Sequence, residues 1–324
     1  MLPSRRAFVT GGTGLIGSHL VRSLVAEGWD VVALVRSEEG ASMIHAAGAL
    51  SVVGDVTGSD GLVEAMAGAD IVFHVAGINE TCPKDTAQMN DVNINGPVRV
   101  VEAAAQAGAA RMVLTSSVVA IGEESGTVGT ETTEHSGKHV SAYARSKYFG
   151  EVAARETSKQ FGIDLVVVNP ASVQGPGRST GSAEILLRAL RSHRPWLVDL
   201  TVSILDIADC SRGHILAAEW GVAGERYILS GATLSVRQAV SMVTPMLDRP
   251  INPRWIPPAV VRFLGIPLSW LVGGNKICPD LVRTVLHSHR YDNTKSITDL
   301  GMTYTPVEES FSRTIDWFRT EGLL

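Results

Sequence analysis

The stretch SAYARSK sets Tyr143 four residues before Lys147, on one face of a helix, and LTSS ends a short apolar run in Ser116 and Ser117. A phenol is a poor acid or base near neutrality, because its ordinary pKa is about 10. A lysine ammonium one turn away favours the phenolate and draws the tyrosine toward useful proton-transfer strength. A serine hydroxyl opposite can donate to a carbonyl oxygen as charge develops on it. The set suits proton transfer at a carbonyl or hydroxyl oxygen. A second set is TGGTGLIGSHL, Thr10 to Leu20, directly after the apolar stretch AFV. Glycine costs backbone entropy and adds nothing to a core. Gly11, Gly14 and Gly17 instead leave main-chain N–H groups open to an anion, in a relative of the turn that sets a dinucleotide's pyrophosphate on a helix N-terminus.

These residues need elements to hold them. Leu15, Ile16, Leu20, Leu24 and Val25 recur at helical spacing, and Gly28 precedes the apolar run VVALV, which gives strand, glycine turn, helix, strand. Up to about residue 170 the pattern repeats as AFVTG, VVALV, LSVVGD, IVFHVAG, RMVLTSS and DLVVVNP, with alanine-rich helical stretches between. Near-continuous apolar strands alternating with helices predict a doubly wound α/β fold, a parallel sheet covered on both faces. The expected organisation is a dinucleotide-binding Rossmann domain over 1–170 with a return segment 202–231, containing SILDIAD and ERYILSG. Segments 171–201 and 232–324 form a smaller substrate-binding portion and lid.

Ligands of open parallel sheets bind beyond the carboxyl ends of the strands. Asp55 follows the third run, where it reads equally as an acceptor for an adenine amino group or as a turn aspartate. Val75, Ala76 and Gly77 follow the fourth, small enough for a cofactor to pass over, whereas His74 inside that run reads as a core histidine.

TGGTGLIG, HVAG, NINGP, LTSS, YARSK and NPASVQGPG occur in the order and approximate spacing of the extended short-chain dehydrogenases/reductases, the NAD(P)-dependent epimerase/dehydratase type. The sequence resembles that family over nearly its whole length, and ALVRS, HVAG and GERYILSG are most similar to its dihydroflavonol reductase and 3β-hydroxysteroid dehydrogenase-like branch. The resemblance implies Ser117, Tyr143 and Lys147 as the catalytic set, with Tyr143 exchanging a proton with substrate and Lys147 also holding the nicotinamide ribose. Ser117 is preferred to Ser116 by its spacing to Gly122. Asn93 matches the family's asparagine that supports the lysine through water, and reads equally as a structural cap. Cofactor contacts are expected at Gly11, Thr13, Gly14, Leu15, Ile16, Gly17, Arg36, Ser37, Asp55, Val56, Val75, Ala76, Gly77, Tyr143 and Lys147, and by resemblance at Pro170, Ala171 and Val173. The resemblance also implies a homodimer in which the helix near Asn95 and the helix Tyr143 to Phe161 pack as a four-helix bundle.

The second run ends VALVRS, with Val35 where an acidic residue would accept from a ribose 2′-OH, and with Arg36 beside it, suited to a 2′-phosphate. NADP(H) is favoured over NAD(H). A pool kept as NADPH suits net reduction, so the expected activity is reduction of a ketone or aldehyde of a fairly hydrophobic small molecule. Two rivals stand beside it. One is a nucleotide-sugar epimerase or dehydratase with tightly bound NAD, its diphosphate served by Arg178, Arg188, Arg191 and Arg194, which a solvated helix face explains as well. The other is a non-enzymatic redox sensor, disfavoured because Tyr143 and Lys147 are both present.

The totals limit the remaining classes. At 324 residues, 45% hydrophobic and 19% charged, with a net charge of −5, the chain has ordinary globular composition and no basic field for nucleic acid. Cys82, Cys210 and Cys278 lie far apart in odd number, and are expected as reduced thiols of a cytoplasmic protein, neither disulfides nor metal ligands. No metal site is expected, since His214 and His287 lack partners at ligand spacing, and Asp206 and Asp209 are left out of the site. The apolar stretch 255–274, with Trp255, Phe263, Leu264, Trp270 and Leu271, is broken by Pro257, Pro258, Arg262 and Pro267. It reads as a substrate lid, with a membrane-surface contact or core packing as alternatives.

Overall fold

A computed structural model of the chain describes residues 5–177, 179, 182–267 and 278–324. Seven strands, β1 (Arg6–Thr10), β2 (Asp30–Val35), β3 (Leu50–Val53), β4 (Ile71–His74), β5 (Arg111–Thr115), β6 (Asp164–Pro170) and β10 (Arg226–Leu229), form one parallel sheet in the order β10-β6-β5-β4-β1-β2-β3. The order runs outward from β1 in both directions, so a crevice opens between β1 and β4, the switch point at which such sheets bind ligands.

Except on the exposed edge strand β3, both faces of the strands are apolar because both are covered. Ala7, Val9, Val31, Ala33 and Val113 pack with Leu20, Val21 and Leu24 of helix α1 (Leu15–Ala26) and with Ile215 and Ala217 of α8 (Ile207–Trp220). The alternate residues Phe8, Val32, Leu34, Met112 and Leu114 pack with Val100, Val101 and Ala104 of α5 (Gly96–Gln106) and Ala154 of α6 (Ala142–Phe161). The period-2 alternation divides one strand set between two cores. Short helices α2 (Glu38–Ala46), α3 (Leu62–Ala65) and α4 (Thr86–Asn90) complete the first half.

A third core lies beside the sheet. It joins Leu187 and Leu190 of α7 (Ser182–Arg191), Ile204 of β9 (Thr201–Asp206), Leu234 of β11 (Ala232–Ser235), Val243 of α9 (Val236–Val243) and Phe311, Ile315 and Phe318 of the C-terminal helix Val307–Thr320. Strand β9 pairs with β7 (Ser172–Gln174) and β11 in a separate three-stranded sheet, so SILDIAD does not rejoin the large sheet, whereas RYIL, as β10, does. Strands β8 (Trp196–Val198) and β12 (Arg254–Ile256) form a two-stranded sheet. Among the described residues α10 (Pro258–Val260), α11 (Pro279–His287) and α12 (Thr294–Leu300) precede the last helix, Val307–Thr320, here α13.

The cysteine expectation is corrected by the fold. Cys82, in the loop after β4, is disulfide-bonded to Cys278 at the start of α11, while Cys210 is free and buried in α8. Distance along the sequence was the wrong guide, because the fold returns α11 to the sheet's carboxyl edge. The segment expected as a lid is only partly packed. Phe263 and Leu264 are 75% and 60% exposed, and Trp255 lies under the Arg237 guanidinium at 4.1 Å. Trp270 and Leu271 fall outside the described residues. Among the described residues no helix is long and apolar enough to cross a membrane.

Candidate active site

Three glycines of the first turn do different work. A Cβ on Gly11, whose φ is +72°, would lie 2.6 Å from the Ala76 nitrogen, and one on Gly17 would lie 2.1 Å from the Gly11 carbonyl oxygen. Both positions are therefore closed by protein. Gly14 differs: it is the N-cap of α1 at an ordinary φ of −76°, makes no side-chain cap, and a Cβ there would meet only the Gly11 oxygen at 3.3 Å. It leaves a clear approach to the first turn of α1, alongside exposed Thr13 and half-buried Leu15 and Ile16. Across the crevice, Thr10 Oγ1 accepts from the Ala76 N–H and bonds His74 Nδ1 at 2.7 Å, fixing the exit of β4 where Val75, Ala76 and Gly77 emerge. A cradle of this shape fits a dinucleotide's pyrophosphate.

At the end of β2, Val35 is buried and Arg36 points outward, exposed and without a hydrogen bond or ion pair to any described residue. Ser37 caps α2 by accepting from the Gly40 N–H at 3.2 Å. A Cβ on Gly40 would touch the Thr13 methyl at 3.2 Å, so this cap stands against the glycine turn. Asp55 Oδ1 accepts from both the Thr57 N–H and hydroxyl, so the turn reading holds for that oxygen; Val56 beside it is buried.

Helix α6 begins at a serine cap, with Ser141 Oγ accepting from the Ala144 N–H, and this starts the helix just before Tyr143. One turn on, Lys147 is 7% exposed and donates from Nζ to the Thr115 carbonyl at 2.7 Å. Burial pulls its ammonium down to about 8, against a smaller opposing pull from Glu151. A Cβ on Gly77 would lie 3.8 Å from Lys147 Nζ, so the cofactor-side turn and the lysine face each other. His74 is wholly buried, and burial followed by the Lys147 charge brings it down to about 3, a neutral core imidazole.

Ser117 caps the 3₁₀ turn Val118–Ala120 through a 3.4 Å bond from the Val119 N–H. Ser116 Oγ is buried with no hydrogen bond to a described residue. Asn93 lies in a π-helical turn, Asp91–Asn95, and its amide exchanges bonds with the Ile78 N–H and carbonyl at 2.8 and 2.9 Å. It also donates to Ser146 Oγ at 2.9 Å, next to Lys147, which ties the crevice edge to α6. Pro170 and Ala171 are buried at the end of β6, and Val173 is half-buried on β7.

Sequence reasoning passed over the brace behind this helix. Glu151 accepts from Asn169 Nδ2 at 3.0 Å and faces Arg226 at 3.5 Å, which joins α6 to β6 and β10. The available signal was spacing, since Glu151 follows Lys147 by one more helical turn. Asp206 bonds Ser310 and Arg313, and Asp209 bonds Thr305, so both hold the C-terminal segment in place. His214 bonds Thr115 Oγ1 and the Cys210 carbonyl. Of the arginines weighed for a diphosphate, Arg188 pairs with Glu184 and Arg191 bonds the Leu323 carbonyl, Arg194 is exposed, and Arg178 lies outside the described residues.

A glycine turn at the switch point and a tyrosine–lysine helix facing it define a dinucleotide-dependent enzyme of the extended short-chain type. The sequence profile of the NAD dependent epimerase/dehydratase family matches residues 7–229, and the chain belongs to that family. A Synechocystis protein provisionally named dihydroflavonol 4-reductase is 32% identical over 97% of this chain and 95% of its own length. Cinnamoyl-CoA reductase 1 of Petunia hybrida is 29% identical over 98% of this chain and 92% of its own. The crystal structure of gox2253 superposes with a TM-score of 0.87 at 28% identity, covering 99% of this chain and 100% of that one. The protein is thus an NAD(P)-dependent oxidoreductase of the extended short-chain dehydrogenase/reductase type acting on a small molecule.

Proposed function

We propose that this oxidoreductase uses NADPH to reduce a ketone or aldehyde of a fairly hydrophobic small molecule. The observation that carries the cofactor choice is Arg36, exposed and unpaired among the described residues at the end of β2, beside the glycine turn and the serine-capped start of α2. A guanidinium there suits a 2′-phosphate, and no carboxylate occupies position 35 to accept from a 2′-hydroxyl. Bound nicotinamide supplies the hydride. The chain supplies the proton and the charge: Tyr143 donates to the substrate oxygen, a serine hydroxyl at the end of β5 polarises that oxygen, and the Lys147 ammonium holds the tyrosine in the acidity range it needs. Asn93 sets Lys147's neighbour Ser146, and Glu151 braces the helix.

The reductase reading is favoured over a nucleotide-sugar reading because Arg188 and Arg191 are already bonded within the protein. The proposal includes Pro170, Ala171 and Val173 as neighbours of the nicotinamide, a substrate-binding portion built from 171–201 and 232–324, and a homodimer through α5 and α6. Substitution Tyr143→Phe is expected to retain NADPH binding and lower turnover on hydrophobic ketones and aldehydes by roughly 10²–10⁴-fold. Unchanged turnover would remove Tyr143 from the proton step, and loss of binding would make its role structural.

A further inference from the structure

Outside the proposed proton-transfer set, another group of side chains converges on a point. Glu123 lies six residues beyond Ser117, His287 ends α11, and His289 follows it, and their ligand-capable atoms all fall within 4.8 Å of one another. His287 Nε2 stands 3.1 Å from Glu123 Oε1 and His289 Nδ1 stands 3.5 Å from the same oxygen. A tetrahedral ion with ligands at 2.0–2.1 Å needs ligand-to-ligand edges of about 3.4 Å, which is the span these pairs already have. The residue between the two histidines is Ser288, at φ +65° the one non-glycine residue with positive φ among those described. That left-handed turn swings both imidazoles onto the same carboxylate, and a non-glycine residue holds such a backbone only where its surroundings enforce it.

The supports of the group suit a metal. Tyr291 OH donates to Glu123 Oε1 at 2.8 Å and so holds the carboxylate, and it sits 2.9 Å from His289 Nδ1, a contact an incoming ion would replace. A small cavity adjoins the group, lined also by Val119, Lys138 and Val140. Ser125 Oγ bonds the His287 carbonyl, and the Gly129 and Arg290 backbones pair, so both segments are held in register.

We propose that Glu123, His287 and His289 form a binding site for a divalent transition-metal ion of the Zn²⁺ class. Two imidazoles and one carboxylate are the donor set such ions take, and three side chains leave one coordination position for water or another oxygen ligand. An ion there joins the segment after Ser117 to the end of α11.

The test uses the full-length protein without reductant, so that the Cys82–Cys278 pair offers no thiolate. Zn²⁺ is titrated against a chromogenic chelator, and Co²⁺ is titrated as a spectroscopic probe. One saturable equivalent, with a tetrahedral Co²⁺ band and a rise in Tm on adding Zn²⁺, is expected. His289→Ala and Glu123→Gln should each weaken Zn²⁺ binding by about tenfold or more and abolish the band, with NADPH binding as the check on folding. Where Glu123→Gln fails that check, His287→Asn takes its place. Absence of a saturable equivalent in the unsubstituted protein, or equal affinity in the variants, overturns the site and leaves a hydrogen-bonded cluster only.

Discussion

Single residues carry the cofactor argument, and Gly14 is the sharpest case. Its backbone conformation is open to any residue and a Cβ there would meet a single backbone atom, the Gly11 oxygen, in a tight 3.3 Å contact, so Gly14→Val should keep the fold while blocking the helix N-terminus. The expected result is a Tm lowered only slightly, with NADPH binding weakened about a hundredfold, or about 2.7 kcal/mol. Gly17→Val makes the contrast, since its Cβ would collide with the Gly11 carbonyl, and it should unfold the domain. Lys147 sets the pH behaviour. With its pKa lowered by burial from an ordinary 10.5 to about 8, it is an ammonium below that pH and neutral above, so turnover should fall as pH rises through about 8. A flat profile across that range in the native enzyme would contradict the lysine's role. Between 8 and 10.5 the unfolded chain binds the extra proton, so this group adds to stability as pH climbs through that window. At this scale the sequence was informative wherever a residue type and its spacing suffice, as for Tyr143 with Lys147. It was silent where partners come from distant segments. Nothing near Ser116 or Ser117 reveals that the first is buried without a partner among the described residues and the second caps a turn.

Elements were legible in proportion to their periodicity. The six apolar runs of the first half became β1 to β6, and in all but the exposed edge strand β3 the near-continuous apolar tract reflects coverage on both faces. SILDIAD carries the same signature and joins a different sheet, since pattern specifies burial and not neighbour. Helix α11 shows the limit most plainly. Its start is bonded through Cys278 to the loop after β4, its Asp280 accepts from the Ala142 N–H at the start of α6, and His287 at its end reaches Glu123. None of these three attachments is local in sequence. Closing so long a loop constrains the unfolded chain by up to about 5 kcal/mol in the chain-entropy description. Reduction, or Cys82→Ser, should therefore lower Tm by several degrees, and an unchanged Tm would show that the remaining contacts of α11 already hold it.

On the scale of the whole molecule, one sheet carries two cores, and the third core stands beside its carboxyl edge. The crevice between β1 and β4 is bounded on one side by the glycine turn and on the other by the face of α6 that presents Lys147 to Gly77. This plan follows from patterning and motif order. The substrate side does not, because its residues come from short strands and separate helices whose grouping depends on tertiary contacts alone. The claim most exposed to test is the choice of cofactor. Cofactor-stripped protein should be titrated with NADPH and NADH by nicotinamide fluorescence, alongside Arg36→Ala. NADPH is expected to bind more tightly, with a loss of roughly 10–100-fold of that preference in the variant, the worth of a charge-assisted bond. Tighter binding of NADH, or a preference that survives the substitution, would contradict it.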